Sequence, residues 1–168
     1  KGLDLWFDID PALPEFILGD QYRLGQIITN LVNNAVKFTA QGSVRISCRP
    51  ARGDDGQEHL HIDIRDTGIG IGEEALRDIF SPFRQADNSM SRRFGGSGLG
   101  LAIVHDLVRL MDGSIKVDST LGQGSTFGFV LEFAVLPADA AARRPAPAAE
   151  LPAQRVLLVD DNAVAAGL

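Results

Sequence analysis

Apolar and polar residues alternate at the start of the chain. Leu3, Leu5, Phe7 and Ile9 stand between Asp4, Trp6, Asp8 and Asp10, the period of two that lays one face of a strand on a core. Pro11 and Pro14 close this strand. Asp20 then occupies a helix N-cap position. Leu24, Ile27, Ile28, Leu31, Ala35 and Phe38 recur three and four residues apart, predicting an amphipathic helix from Tyr22 to Phe38. Val44, Ile46 and Cys48 alternate again, the polar stretch Pro50–Glu58 turns, and Leu60, Ile62 and Ile64 form the returning strand. A loop, Asp66–Gly72, leads into a short helix predicted from Glu73 to about Phe80. Leu99–Met111 reads as a second strong helix, ended by Asp112-Gly113 as its C-cap. Ile115–Val117 and Thr126–Phe133 are the last two strands, joined by the turn Leu121–Gly124, with Phe127, Phe129, Leu131 and Phe133 on one face.

Two stretches break the pattern. Ser81–Gly98 has no periodicity and reads as a long loop, a feature that in compact domains usually carries function. After Leu136 the chain becomes an Ala/Pro tract through Ala153, which reads as a semi-rigid linker. Beyond it, Arg155-Val-Leu-Leu-Val-Asp160-Asp161-Asn162 has the form of a buried strand ending in two acids. The expected organisation is a domain over 1–136, a linker over 137–153 and the start of another domain over 154–168.

Composition narrows the function. Of 168 residues, 45% are hydrophobic and 23% charged, the balance of a soluble globular chain. Cys48 is the only cysteine, so no disulfide framework is available, and a reducing, cytoplasmic setting is expected. No apolar run reaches the roughly 20 residues of a membrane helix, and no membrane contact by this chain is expected. The net charge of −6 argues against a duplex nucleic acid partner, which calls for a basic face. A nucleotide needs only a few backbone amides and one lysine. The 18 glycines cluster in Asp66–Gly72, Gly95–Gly100 and Gly122–Gly128.

Three motifs carry candidate chemistry. At about 100° per residue, Asn30, Asn34 and Lys37 share a stripe roughly 60° wide at the edge of the first helix's apolar face. Amide oxygens are hard ligands suited to Mg²⁺, and a lysine suits phosphate; a solvated helix flank would carry the same residue types. Asp66-x-Gly-x-Gly ends a strand with an acceptor-only carboxylate able to take the exocyclic amine of adenine, and is equally readable as a glycine turn. Gly95-Gly-Ser-Gly-Leu-Gly100 opens a helix, where free amides and positive potential cradle phosphate. It matches neither the P-loop nor the dinucleotide fingerprint.

In order along the chain, Asn30-Leu-Val-Asn-Asn-Ala-Val-Lys-Phe-Thr39, Asp66-Thr-Gly-Ile-Gly70, Ile79-Phe-Ser-Pro-Phe83, Gly96-Ser-Gly-Leu-Gly-Leu101 and Gly122-Gln-Gly-Ser-Thr-Phe127 resemble the ATP-binding catalytic domain of bacterial sensor histidine kinases. They match that family's N box, its three glycine boxes and its F box, over about Leu3 to Leu136. The resemblance implies an α+β two-layer sandwich of Bergerat type, a mixed, mostly antiparallel sheet covered by helices on one face. It implies ATP and Mg²⁺ as ligands. Asn34 would be the metal ligand, with Asn30 one turn earlier and Lys37 on phosphate oxygens as the remaining catalytic residues. Phe38, Asp66, Gly68, Gly70 and Thr126 would surround adenine. Phe83, with Phe80, would anchor a lid, and Arg84 would reach phosphate. Gly96, Ser97, Gly98, Leu99, Gly100 and Leu101 would cradle the phosphates.

Related ATPases carry a water-activating glutamate at the position of Asn30. An amide cannot act as that base, which favours transfer to a protein acceptor over hydrolysis. None of His59, His61 and His105 sits in an acceptor context. The expected acceptor is a histidine on a dimerising helical hairpin outside this chain, in a parent that is a homodimer while the isolated chain is a monomer. The tail resembles the opening of a receiver domain, with Asp160 and Asp161 as its metal-site acids, so the parent would be a hybrid kinase. A catalytically idle nucleotide-binding module and a related serine protein kinase remain alternatives at this point.

Overall fold

The computed structural model describes residues 1–52, 58–82 and 98–135, and every described element belongs to one compact unit, Lys1–Leu136. The expected linker and receiver start, and Phe83, Arg84, Gly96 and Ser97, lie outside the described residues.

The strands are β1 (Asp4–Ile9), β2 (Ile17–Leu18), β3 (Ser43–Arg52), β4 (Glu58–Asp66), β5 (Ser114–Thr120), β6 (Gly124–Glu132) and β7 (Ala134–Val135). The described helices are α1 (Gln21–Phe38), α2 (Glu73–Arg77) and α3 (Gly100–Leu110). Five strands form one sheet in the order β1-β3-β4-β6-β5. Only the β1–β3 pair is parallel, bridged by α1; the other neighbours are antiparallel. A second, two-stranded pairing joins β2 to β7. The helices α1 and α3 pack side by side on one face of the large sheet, giving the expected mixed, mostly antiparallel two-layer α+β sandwich.

The core lies between these layers. Ile27, Leu31 and Ala35 of α1 and Val104 and Val108 of α3 meet Val44, Ile46, Leu60, Ile62, Ile64, Phe127, Phe129 and Leu131 from the sheet. Fully burying each of the larger side chains is worth about 1.5–3 kcal/mol. The Asp20 carboxylate accepts from the amides of Tyr22 and Arg23, both at 3.0 Å, capping α1 as its sequence predicts. At the other end of α1 the Lys1 ammonium donates to the carbonyls of Val36 (2.8 Å) and Lys37 (3.0 Å), which suits the negative end of the helix dipole. Asp112, at φ 54°, turns the chain out of α3.

Three expectations need correction. The first strand forms, but its apolar face is bare: Leu5 is 51%, Phe7 67% and Ile9 57% exposed. These residues pair with Val44, Ile46 and Cys48, yet α1 lies over β3 and β4 and leaves the sheet edge uncovered. The predicted turn at Pro50 is instead strand, with Pro50 opposite Leu60. It lies past Ile9–Cys48, the last β1–β3 pair, so this part of β3 is an edge, where proline is tolerated. The short second helix stops at Arg77 and does not reach Phe80. The three histidines are half-buried. On the open face of the sheet, His61 lies 3.1 Å from Asp63, which also pairs with Arg49 at 3.0 Å; His105 stacks on Phe80.

Candidate nucleotide-binding site

The half-buried side chains of Asn30, Asn34, Lys37 and Phe38 come from the C-terminal half of α1. A side chain on Gly100 would come within 3.6 Å of the Asn30 amide oxygen. The amide of Asn30 thus faces the first turn of α3, where backbone N–H groups have no partner within the helix. Gly98 enters that turn in the left-handed region, at φ 69°, and the Leu99 carbonyl accepts from Ile103 at 2.9 Å. Leu101 packs against the core. The Lys37 ammonium lies 4.9 Å from the centre of the Phe38 ring.

Asp66 ends β4 and is 6% exposed. One carboxylate oxygen accepts the Gly68 amide at 2.8 Å, and the carboxylate also accepts the backbone N–H of Ser125. Burial pushes its pKa above the ordinary carboxylate value, and these two hydrogen bonds offset part of that rise. The Asp66 loop is pressed onto the end of α1. The Ile69 amide donates to the Phe38 carbonyl at 3.3 Å, and a Cβ on Gly68 would stand 2.5 Å from that carbonyl oxygen. On the other side, the Gly122 amide donates to Ile69 at 2.7 Å. A buried carboxylate, half-satisfied by backbone amides and flanked by glycines, is thus joined to the same helix that carries the two asparagines and the lysine.

One predicted site residue falls elsewhere. Thr126 pairs with Arg65 and Asp118, whereas Ser125 pairs with Asp66. Side chains alternate along a strand, so Thr126 points to the open face of the sheet and Ser125, 7% exposed, points to the side of Asp66. The signal was present: Ser125 precedes Phe127 and Phe129 by two and four residues and must share their buried face. The hydroxyl of Ser119, 2.9 Å from that of Ser125, is a second residue that sequence reasoning missed.

The Asn30 amide faces the N-terminus of α3, and the same helix α1 carries Asn34 and Lys37. A buried carboxylate with glycine access is joined to the end of α1. Together they define a nucleotide-binding α+β sandwich domain. Comparison with known proteins carries this further. Residues 19–135 match the family described as histidine kinase-, DNA gyrase B- and HSP90-like ATPase, and the chain belongs to that family. It is 45% identical to hybrid signal transduction histidine kinase L of Dictyostelium discoideum over 87% of this chain and 9% of that protein. It is 44% identical to sensor histidine kinase AruS of Pseudomonas aeruginosa over 96% of this chain and 16% of that protein. The crystal structure of full-length ShkA in complex with AMPPNP matches with a TM-score of 0.68 and 38% identity, covering 82% of this chain and 27% of that one. The chain therefore spans a small part of the histidine kinases it matches, the part that is their ATPase-type catalytic domain.

Proposed function

We propose that this domain binds Mg²⁺-ATP and transfers the γ-phosphoryl group to a histidine on a helical hairpin outside this chain, in a dimeric hybrid sensor kinase of the two-component type. The observation that carries the reading is Asn30 facing the N-terminal turn of α3 while the loop of the buried Asp66 is hydrogen-bonded to the end of the same helix α1. The AMPPNP bound by the ShkA structure supports ATP as the ligand.

The chain's own residues divide the work. Asp66 accepts from the adenine amine, while Gly68 and Gly70 admit the ring and Phe38 lines its side. Lys37 and the amides from Gly98 to Leu101 hold phosphate oxygens; Gly96, Ser97 and Arg84 would join them, and Phe83 would seat the lid. Asn34, with Asn30 beside it, offers the amide oxygens that a divalent cation prefers. Bound there, Mg²⁺ supplies positive charge against the phosphates. Phosphoryl transfer asks little covalent chemistry of the protein and much positioning and charge neutralisation. Asn30 cannot deprotonate a water, so the bound nucleotide waits for an imidazole.

The organisation follows: a catalytic domain over 1–136, a linker over 137–153, and a receiver start over 154–168 with Asp160 and Asp161 as metal-site acids, in a cytoplasmic part of a bacterial parent. The test incubates the chain with γ-labelled ATP, alone and with the parent's separately made hairpin. The chain alone should bind ATP and stay unlabelled. The hairpin should gain label that is acid-labile and alkali-stable, as phosphohistidine is. Label on the chain itself favours the serine kinase reading. ATP binding with no transfer to the hairpin favours an idle regulatory module.

A further inference from the structure

A row of three polar residues crosses the sheet at the start of the Asp66 loop. Ser119 of β5 pairs with Ser125 of β6, and Ser125 pairs with Asp66 of β4. The Ser119 hydroxyl accepts the Ile71 amide at 2.8 Å and donates to the Gly124 carbonyl at 2.9 Å. With its one proton so used, it accepts the proton of the Ser125 hydroxyl, 2.9 Å away. A serine hydroxyl has one donor and two acceptor sites, and all three are filled. The contacts span 48 residues of sequence, from the loop after Asp66 to the β5–β6 hairpin. The fit there is close on both sides: the Thr120 carbonyl stands where a side chain on Gly70 would go, and the Asp66 carbonyl where one on Gly124 would go.

We propose that Ser119 is a positioning residue for nucleotide selection. Its hydroxyl clasps the Asp66 loop to the β5–β6 hairpin, and through Ser125 it fixes the amide that holds the Asp66 carboxylate. This rests on the reading that Asp66 accepts from the adenine amine. Without the clasp the loop loses its tie at Ile71, and the carboxylate loses one of the supports that aim it. Contacts to phosphate come from α1 and α3 and are untouched. The loss therefore falls on base recognition, not on triphosphate binding as a whole.

The experiment measures the dissociation constants of ATP and GTP for the full chain and for Ser119→Ala, Ser119→Thr and Asp66→Asn. The ratio of the two constants is independent of the folded fraction in each sample. Ser119→Ala should lower the preference for ATP about tenfold, the size expected for one mis-set polar contact, with GTP affinity unchanged. Ser119→Thr keeps the hydroxyl and should keep the wild-type ratio. Should Ser119→Ala fail to fold, Ser119→Cys makes the same comparison, since a thiol is a weak donor and acceptor. A ratio altered by Asp66→Asn but not by Ser119→Ala overturns the role of Ser119 alone. Equal weakening of ATP and GTP, or a threonine variant as impaired as the alanine one, overturns it too. A ratio unaffected by Asp66→Asn overturns the base-site reading and the role of Ser119 together.

Discussion

Gly70 can carry no side chain because the backbone carbonyl of Thr120 occupies the place its Cβ would take, and its φ of 67° is left-handed as well. Gly122, at φ 79°, has the same kind of backbone but nothing within 4 Å of an added Cβ. The two glycines separate conformational cost from steric cost. Gly122→Ala should lose about 1–2 kcal/mol, the left-handed penalty alone. Gly70→Ala should lose clearly more, because the loop must move off β5. Denaturant unfolding of the two variants side by side checks the ordering.

In its proposed base-binding role, Asp66 should make nucleotide binding pH-dependent. Burial raises its pKa, so in the folded chain it keeps its proton to a higher pH than an ordinary aspartate. The proton-bound acid cannot accept from the adenine amine in the same way. ATP affinity should therefore fall on acidification at a pH above the usual aspartate range, while GTP affinity changes little. For the nucleotide-free fold the sign is opposite. A raised folded pKa lends stability that is fully present below the unfolded pKa and is lost as pH rises through the folded one. Nucleotide titrations and melting curves across the acid range give both signs.

Asn34→Ala should abolish most of the Mg²⁺ dependence of ATP affinity and leave the fold intact, since Asn34 is half-buried at the helix edge and the α1 core residues are Ile27, Leu31 and Ala35. Titration with Mg²⁺ and with a chelator, alongside a thermal melt, is the measurement. Unchanged Mg²⁺ dependence would remove Asn34 from the metal site.

Much of this was legible because it is periodic. The helices α1 and α3, the β3–β4 and β5–β6 hairpins and the Asp20 cap each follow from spacing within one segment. The bare face of β1 was not legible. Its alternation is genuine, but whether a helix covers it depends on where α1 crosses the sheet, which no local pattern encodes. The β2–β7 pair is two residues long on each side, too short for any period to register. At the candidate site, Asn30 and Asn34 could be singled out because side-chain chemistry and helical spacing coincide there, and Asp66 because an acid ends a strand just before two glycines. Thr126 was misassigned although the β6 alternation pointed to Ser125. Ser119 gave no signal at all, since its meaning lies in partners far away in sequence.

Phe80 and His105 stack with ring centres 5.3 Å apart and planes inclined by 30°. This joins the F-box segment to the helix whose first turn faces Asn30. A double-mutant cycle with Phe80→Ala and His105→Ala should show a coupling of about 0.5–1.5 kcal/mol in unfolding free energy, the usual range for such pairs. Additive single effects would mean that the contact contributes nothing.

The exposed strand β1 also sets how the domain opens. An element held by one neighbour, with all six residues exposed, gives up little apolar contact when it detaches. Such segments open with far less free energy than the global unfolding requires. The amides of β1 should exchange with solvent long before those of β4 and β6, whose partners lie on both sides. Local order is thus graded across the sheet, firm where the carboxylate of Asp66 is held and soft at its β1 edge.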